Sequence, residues 1–106
     1  MGSREYLGEF EQVVLWALAR RPGPAYGAAI HREILDRTGR DVSIPAVYVT
    51  LKRMERKGLV ASEVSDPPEG GRATRDYRLL PAGRQALTES RAQLERLWEG
   101  LDAERA

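Results

Sequence analysis

A chain of 106 residues without cysteine has room for one domain and a modest core; it forms no disulfide, carries no thiol nucleophile and builds no Cys-based metal site. Its single histidine leaves no basis for a His-rich metal site, so no metal or cofactor is expected, and a formal net charge of +1 does not by itself announce nucleic acid. The longest uninterrupted apolar run, Val13 to Ala19, is far too short to cross a bilayer, and the N-terminus lacks the charged-then-apolar order of a signal peptide, so a soluble, cytoplasmic protein with no membrane partner is expected.

Met1-Gly2 opens no myristoylation signal, because Tyr6 stands where that signal needs Ser or Thr. Tyr6 to Arg21 reads as a helix, with Leu7, Phe10, Val14 and Leu18 on one stripe and Tyr6, Val13, Trp16 and Ala17 widening it. A helix apolar over so much of its girth must be covered from two sides, which points to a second copy of the chain. Arg21-Pro22-Gly23-Pro24 stops it, since the prolines remove donors and favour extended geometry. A second helix is expected from about Ala25 to Thr38, with Tyr26, Ala29, Ile30, Ile34 and Leu35 inward and Gly39 as its stop. His31, with no cysteine or second histidine to join it, reads as a surface or half-buried side chain rather than a ligand or base.

The stretch from Ser43 to Val60 carries the most information. Ser43 is a good N-cap, Pro45 falls in the first turn where a missing N–H costs nothing, and Gly58 closes the helix. At about 100° per residue, Ile44, Val47, Leu51 and Met54 share one face, while Pro45, Ala46, Val49, Lys52, Arg53 and Arg56 lie opposite. Small residues at the N-terminal end allow close approach to a surface, and cations further along reach phosphates beside a groove. Arg40 to Val60 holds five cations against Asp41 and Glu55, a local basic footprint inside a nearly neutral chain. These are the requirements of a DNA recognition helix. Taken alone, they are equally those of an ordinary amphipathic surface helix.

Leu59 to Ser65 and Thr74 to Leu80 read as the two strands of a hairpin around the turn cluster Asp66-Pro67-Pro68-Glu69-Gly70-Gly71. Arg72 and Arg75 beside its glycines suit a phosphate backbone or a minor groove, although Glu63, Asp66, Glu69 and Asp76 keep the hairpin from being basic and a plain solvated hairpin fits too. Pro81 opens a last helix to about Asp102, with Leu87, Leu94 and Leu101 at heptad spacing, Leu97 and Trp98 beside them, and Ser90 interrupting the seam. This helix packs on its own domain or on another copy, and the surplus apolar surface of the first helix favours the copy.

Three helices, a hairpin and a helix are the order of a winged helix-turn-helix with a C-terminal extension, mainly α with a small β-hairpin. The stretches S-I-P-A-V-Y-V-T-L-K-R-M-E-R-K-G-L-V, G-G-R-A-T-R-D-Y-R-L and P-A-G-R-Q-A-L, with L-G-E-F-E-Q-V-V-L-W-A-L and A-Y-G-A-A-I before them, resemble the PadR family of bacterial transcriptional regulators over nearly the whole chain, Leu7 to Leu101. The resemblance implies a winged helix-turn-helix DNA-binding domain over 1–80 and a dimerisation helix over 81–106, as in the short members of the family. It implies a sequence-specific DNA-binding regulator, a repressor, on an inverted-repeat operator in double-stranded DNA. The expected DNA-facing residues are Tyr26, Ser43, Ala46, Tyr48, Val49, Lys52, Arg53, Arg72 and Arg75. Arg53 and Glu55 match an R-x-E pattern that also suits an internal pair; Gly70, Gly71 and Arg72 match the wing. Pro45 stands where the family often has glycine, which implies a different start to the helix and a different base preference. The expected homodimer uses Leu7, Phe10, Val14, Leu87, Leu94, Leu97, Trp98 and Leu101, the last helix packing on the partner's first. A planar hydrophobic effector at the dimer centre is implied as well, with Trp98 as candidate wall or as a packing residue.

Enzymatic activity is set aside, because the sequence offers no nucleophile elbow, phosphate-cradling glycine loop or metal-ligand cluster. The alternative to an operator-binding regulator is a dimeric small-molecule-sensing or protein-interaction module with weak DNA binding.

Overall fold

The computed structural model of the chain describes residues 6–67 and 71–101. Gly70 of the expected wing tip and Asp102 at the expected end of the last helix lie outside the described residues. The elements run α1 (Glu9–Ala19), α2 (Gly27–Thr38), α3 (Ile44–Arg56), β1 (Val60–Ser65), β2 (Thr74–Leu79) and α4 (Pro81–Trp98). This is a winged helix-turn-helix followed by one helix, the expected class.

α1 begins at Glu9 rather than Tyr6 because the Glu11 carboxylate reaches back to accept the Gly8 N–H at 2.8 Å, half of a capping box. Val14, Leu15, Ala17 and Leu18 are buried along it. Its girth is covered mostly from within the protomer, since α1 meets α2, α3, β2 and α4. Val14, expected at a dimer interface, has no exposed surface at all and belongs to the protomer's own core. Tyr6 and Trp16 remain exposed.

α2 begins at Gly27, two residues later than expected. Pro24 leaves the chain extended, and Ala25 pairs with Tyr77 as an added bridge of sheet, each donating its N–H to the other's carbonyl at 2.9 and 2.8 Å. Tyr26 becomes the N-cap with extended backbone, which turns its side chain out of the core; it is exposed rather than inward. Gly39 (φ 77°) and Gly58 (φ 78°) take the left-handed conformation after α2 and α3, which is why glycine serves at both stops.

The hairpin is antiparallel, in register from Val60 opposite Leu79 to Ser65 opposite Thr74. Leu15, Ile30, Ile34, Val47, Leu51, Met54, Val60, Tyr77 and Leu87 are each at most 1% exposed, so α1, α2, α3, the hairpin and α4 share one core. Each such side chain contributes about 1.5–3 kcal/mol relative to exposure.

α4 divides into two halves. Gly83, Leu87 and Ser90 are buried, and a Cβ on Gly83 would stand 2.3 Å from the Leu59 carbonyl oxygen, so glycine is what lets the first turn seat against the start of β1. Leu87 therefore fills the protomer core and is not free for a second copy, and Ser90 is a close-packing position rather than a gap in a seam. Beyond it Leu94, Leu97, Trp98 and Leu101 are exposed. The helix stops at Trp98, short of the expected Asp102, and Gly100 takes φ 86°.

Candidate nucleic-acid interface

α3 is built to show one face and bury the other. The Ser43 hydroxyl accepts the Ala46 N–H at 3.1 Å, capping a first turn that contains Pro45. Val47, Leu51 and Met54 hold the inner face, joined by Thr50, which periodicity alone did not place there, whereas Ile44 at the helix edge is 38% exposed. Pro45, Val49, Lys52 and Arg56 stand exposed on the outer face, with Ala46 half-buried beside them. Arg56 was outside the expected contact set; its spacing of one helical turn from Lys52 is the signal that places it with the others.

The carboxylates near this face are turned elsewhere. Glu55 accepts the Ser62 hydroxyl proton at 2.7 Å, and the Ser62 oxygen accepts from the Arg75 guanidinium at 3.1 Å. Recognition helix and wing are thus tied by a chain of three side chains, and Arg75 is exposed but engaged. Arg72, nearer the tip, is exposed.

Two residues expected at DNA also make contacts within the scaffold. The Tyr48 hydroxyl accepts the Gly27 N–H at 3.2 Å, and a Cβ on Gly27 would lie 2.4 Å from Tyr48 Cζ. Since Tyr26 makes no side-chain cap, Tyr48 satisfies one of the orphan donors at the start of α2 from 21 residues away, and sets the approach of α2 to α3. Arg53 does not pair with Glu55: its Nε donates to Glu11 at 3.0 Å, and Lys57 Nζ lies 3.8 Å from the same oxygen. Burial pushes the Glu11 carboxyl up, but the Gly8 N–H and the charges of Arg53 and Lys57 outweigh it and hold its pKa below the ordinary 4.5. The loop into α3 is anchored as firmly. Arg40 donates to Glu9 at 2.6 Å and lies over the Phe10 ring, and the half-buried His31 meets Asp41 at 3.1 Å.

The structure therefore brings Pro45, Ala46, Val49, Lys52 and Arg56 onto one face. Ser43 sits at its leading edge, Tyr26 stands exposed beside the α2 end that Tyr48 holds, and the wing with Arg72 and Arg75 is fastened to α3. Of the expected dimer residues, Leu7 and Phe10 are partly buried against the core, while Leu94, Leu97, Trp98 and Leu101 stand free of it.

The description of the PadR-like transcriptional regulator family matches residues 14–89. The chain belongs to the PadR-like family. It is 50% identical over 74 residues to the transcriptional regulator Rv3488 of Mycobacterium tuberculosis, an alignment spanning 68% of this chain and 64% of that relative. A PadR family transcription regulator from Clostridium difficile has a similar structure, at 26% identity and a TM-score of 0.72 over 92% of this chain and 97% of that one. The fold is also that of Bacillus subtilis PadR, solved in complex with operator DNA, at 20% identity and a TM-score of 0.65 over 76% of this chain and 46% of that one. The family is one of transcriptional regulators, and this chain spans under two thirds of the length of the Mycobacterium relative. No described helix is long and apolar enough to cross a membrane.

Proposed function

We propose that this PadR-like chain binds an inverted-repeat operator as a homodimer, placing α3 of each copy in the major groove and the wing against the adjacent backbone. The observation that carries the reading is the outer face of α3: Pro45, Val49, Lys52 and Arg56 are exposed in one stripe, and Glu55 is drawn off it by Ser62. A helix that is small and apolar at its leading end, cationic at the other and free of exposed acid suits close approach to base edges flanked by phosphates. The Bacillus subtilis protein of the same fold, seen with operator DNA, supports the same use of the head.

Dimerisation follows from α4. Leu94, Leu97, Trp98 and Leu101 are 38–70% exposed, and a contiguous exposed apolar patch marks a surface that another one covers. Trp16 on α1 and Tyr6 ahead of it offer further exposed apolar surface. Two heads related by a dyad meet successive major grooves about 34 Å apart; a dimer seated there obstructs a promoter, so repression is the sign we infer, exerted in the cytoplasm where the chromosome lies. Between the two copies of α4, Trp98 offers a flat apolar wall for a planar hydrophobic effector. Such a compound regulates only by preferring one spacing of the heads over another.

The test is DNA retardation across a salt series, with operators selected from random duplexes. Lys52→Ala weakens binding and reduces the slope of log K against log salt by roughly 0.9, one phosphate contact; Arg72→Ala lowers affinity with little change in the preferred bases. Unchanged affinity and slope in Lys52→Ala removes α3 from the interface.

A further inference from the structure

We propose that a recess on the other side of the head, where the end of α1, strand β2 and the first turn of α4 meet, binds a phosphoryl group. The recess measures about 280 Å³, and three arginines line it from three separate segments: Arg21 after α1, Arg78 on β2 and Arg84 in α4. No carboxylate is among the described residues that line it; Leu18, Pro24 and Leu79 supply an apolar floor. Five other arginines, Arg20, Arg37, Arg40, Arg53 and Arg91, each meet an acid within 3.5 Å. Arg21 reaches Glu33 only at 3.6 Å, in competition with Arg20 and Arg37, and Arg78 and Arg84 have no ion pair among the described residues.

Gathering cations this way costs free energy through mutual repulsion. Arg84 adds to that cost by standing near the start of α4, where the helix dipole disfavours positive charge and no acidic residue offsets it. A doubly charged phosphoryl group reverses both terms, and the planar fork of each guanidinium matches its oxygens. Neither α3 nor Arg72 takes part, so the inference stands apart from the operator reading.

One chemistry has two sources here, the backbone of DNA or a phosphorylated small molecule, and the experiment separates them. The full chain is titrated with sodium pyrophosphate at constant ionic strength, following backbone amide shifts and Tm, and compared with the double variant Arg78→Gln/Arg84→Gln and with Arg32→Gln/Arg96→Gln, which loses equal charge outside the recess. We expect saturable binding with the largest shifts at residues 21–24, 78–79 and 82–84, weakened at least tenfold in the first variant and little changed in the second. If pyrophosphate also competes with a duplex, and the first variant alone loses duplex affinity, the phosphoryl group is that of DNA; if pyrophosphate binds alongside the duplex and duplex affinity matches the charge control, it belongs to a small molecule. Absence of saturable binding, or equal weakening in both variants, overturns the site.

Discussion

The contact between Gly27 and Tyr48 makes a quantitative prediction about how the reading head is held. A methyl group at Gly27 would stand 2.4 Å from Cζ and 2.6 Å from Cε2 of the Tyr48 ring, against an ordinary contact of 3.4 Å or more. The ring must therefore retreat by about 1 Å (3.4 − 2.4), and in retreating it gives up the 3.2 Å hydrogen bond from the Gly27 N–H. Overpacking of this kind costs about 1–3 kcal/mol and the lost hydrogen bond about 0.5–1.5, offset by the roughly 0.5–1 that alanine gains over glycine in a helix. Gly27→Ala should then destabilise the wild-type chain by about 0.5–4 kcal/mol. In a Tyr48→Ala background the obstruction and the hydrogen bond are already gone, and the same substitution should be neutral or stabilising. Urea unfolding of the four proteins, followed by circular dichroism at one protomer concentration, gives the coupling energy directly. An equal cost in both backgrounds, within about 0.5 kcal/mol, would refute the contact. Tyr48→Phe isolates the hydroxyl: it should cost about 1 kcal/mol in stability, while operator affinity measured well below Tm changes less than in Lys52→Ala. A loss of affinity without a loss of stability would make the phenol a DNA contact instead.

Gly83→Ala forces a Cβ to within 2.3 Å of a backbone carbonyl that cannot rotate away, so it should destabilise by at least the roughly 1–3 kcal/mol of overpacking, read from the urea midpoint at unchanged m-value. Glu11→Gln should cost about 1 kcal/mol at neutral pH, discounted because Arg53 is 43% exposed. Because the folded pKa of Glu11 lies below 4.5, that contribution is complete above the ordinary value and lost as pH falls through the depressed one; wild type and variant should converge in acid, and a gap that persists there would point away from the carboxylate charge. Leu97→Glu alters a side chain 70% exposed in the protomer; sedimentation should show a folded monomer with unchanged circular dichroism, and a variant that remains dimeric would place the interface elsewhere.

What could be read in the sequence was what repeats within one element. The 3.6-residue period sorted Val47, Leu51 and Met54 from Val49, Lys52 and Arg56 because a helix face is a local property, and Ser43, Gly39 and Gly58 marked helix ends for the same reason. Tyr48 and Arg53 escaped that reading. Tyr48 lies at the flank of α3, where period alone leaves the side chain undecided, and Arg53 falls on the outer face; each meets a partner distant in sequence: Gly27 is 21 residues away and Glu11 is 42. Exposed position and cationic charge suggested DNA for Arg53; periodicity could not show that a carboxylate from another helix also holds it.

The last helix shows why a pattern can be right while its partner is misassigned. Leu87, Leu94 and Leu101 recur every seven residues, which says that they share a face and nothing about what the face meets. At Gly83 the face touches the Leu59 carbonyl, and at Ser90 it is still 5% exposed; a small side chain there permits close approach rather than breaking the stripe. One turn later Leu94 is 55% exposed, because an 18-residue helix runs about 27 Å and outlasts the domain it began on. The same face thus serves the protomer's core up to Ser90 and is left uncovered from Leu94 onward. Anchoring the first half fixes the direction in which the second projects. The spacing of the two reading heads in the proposed dimer is consequently set at the seat of Gly83 and Leu87 as much as at Leu97 and Trp98, so a substitution at either place should change the half-site separation that the dimer prefers.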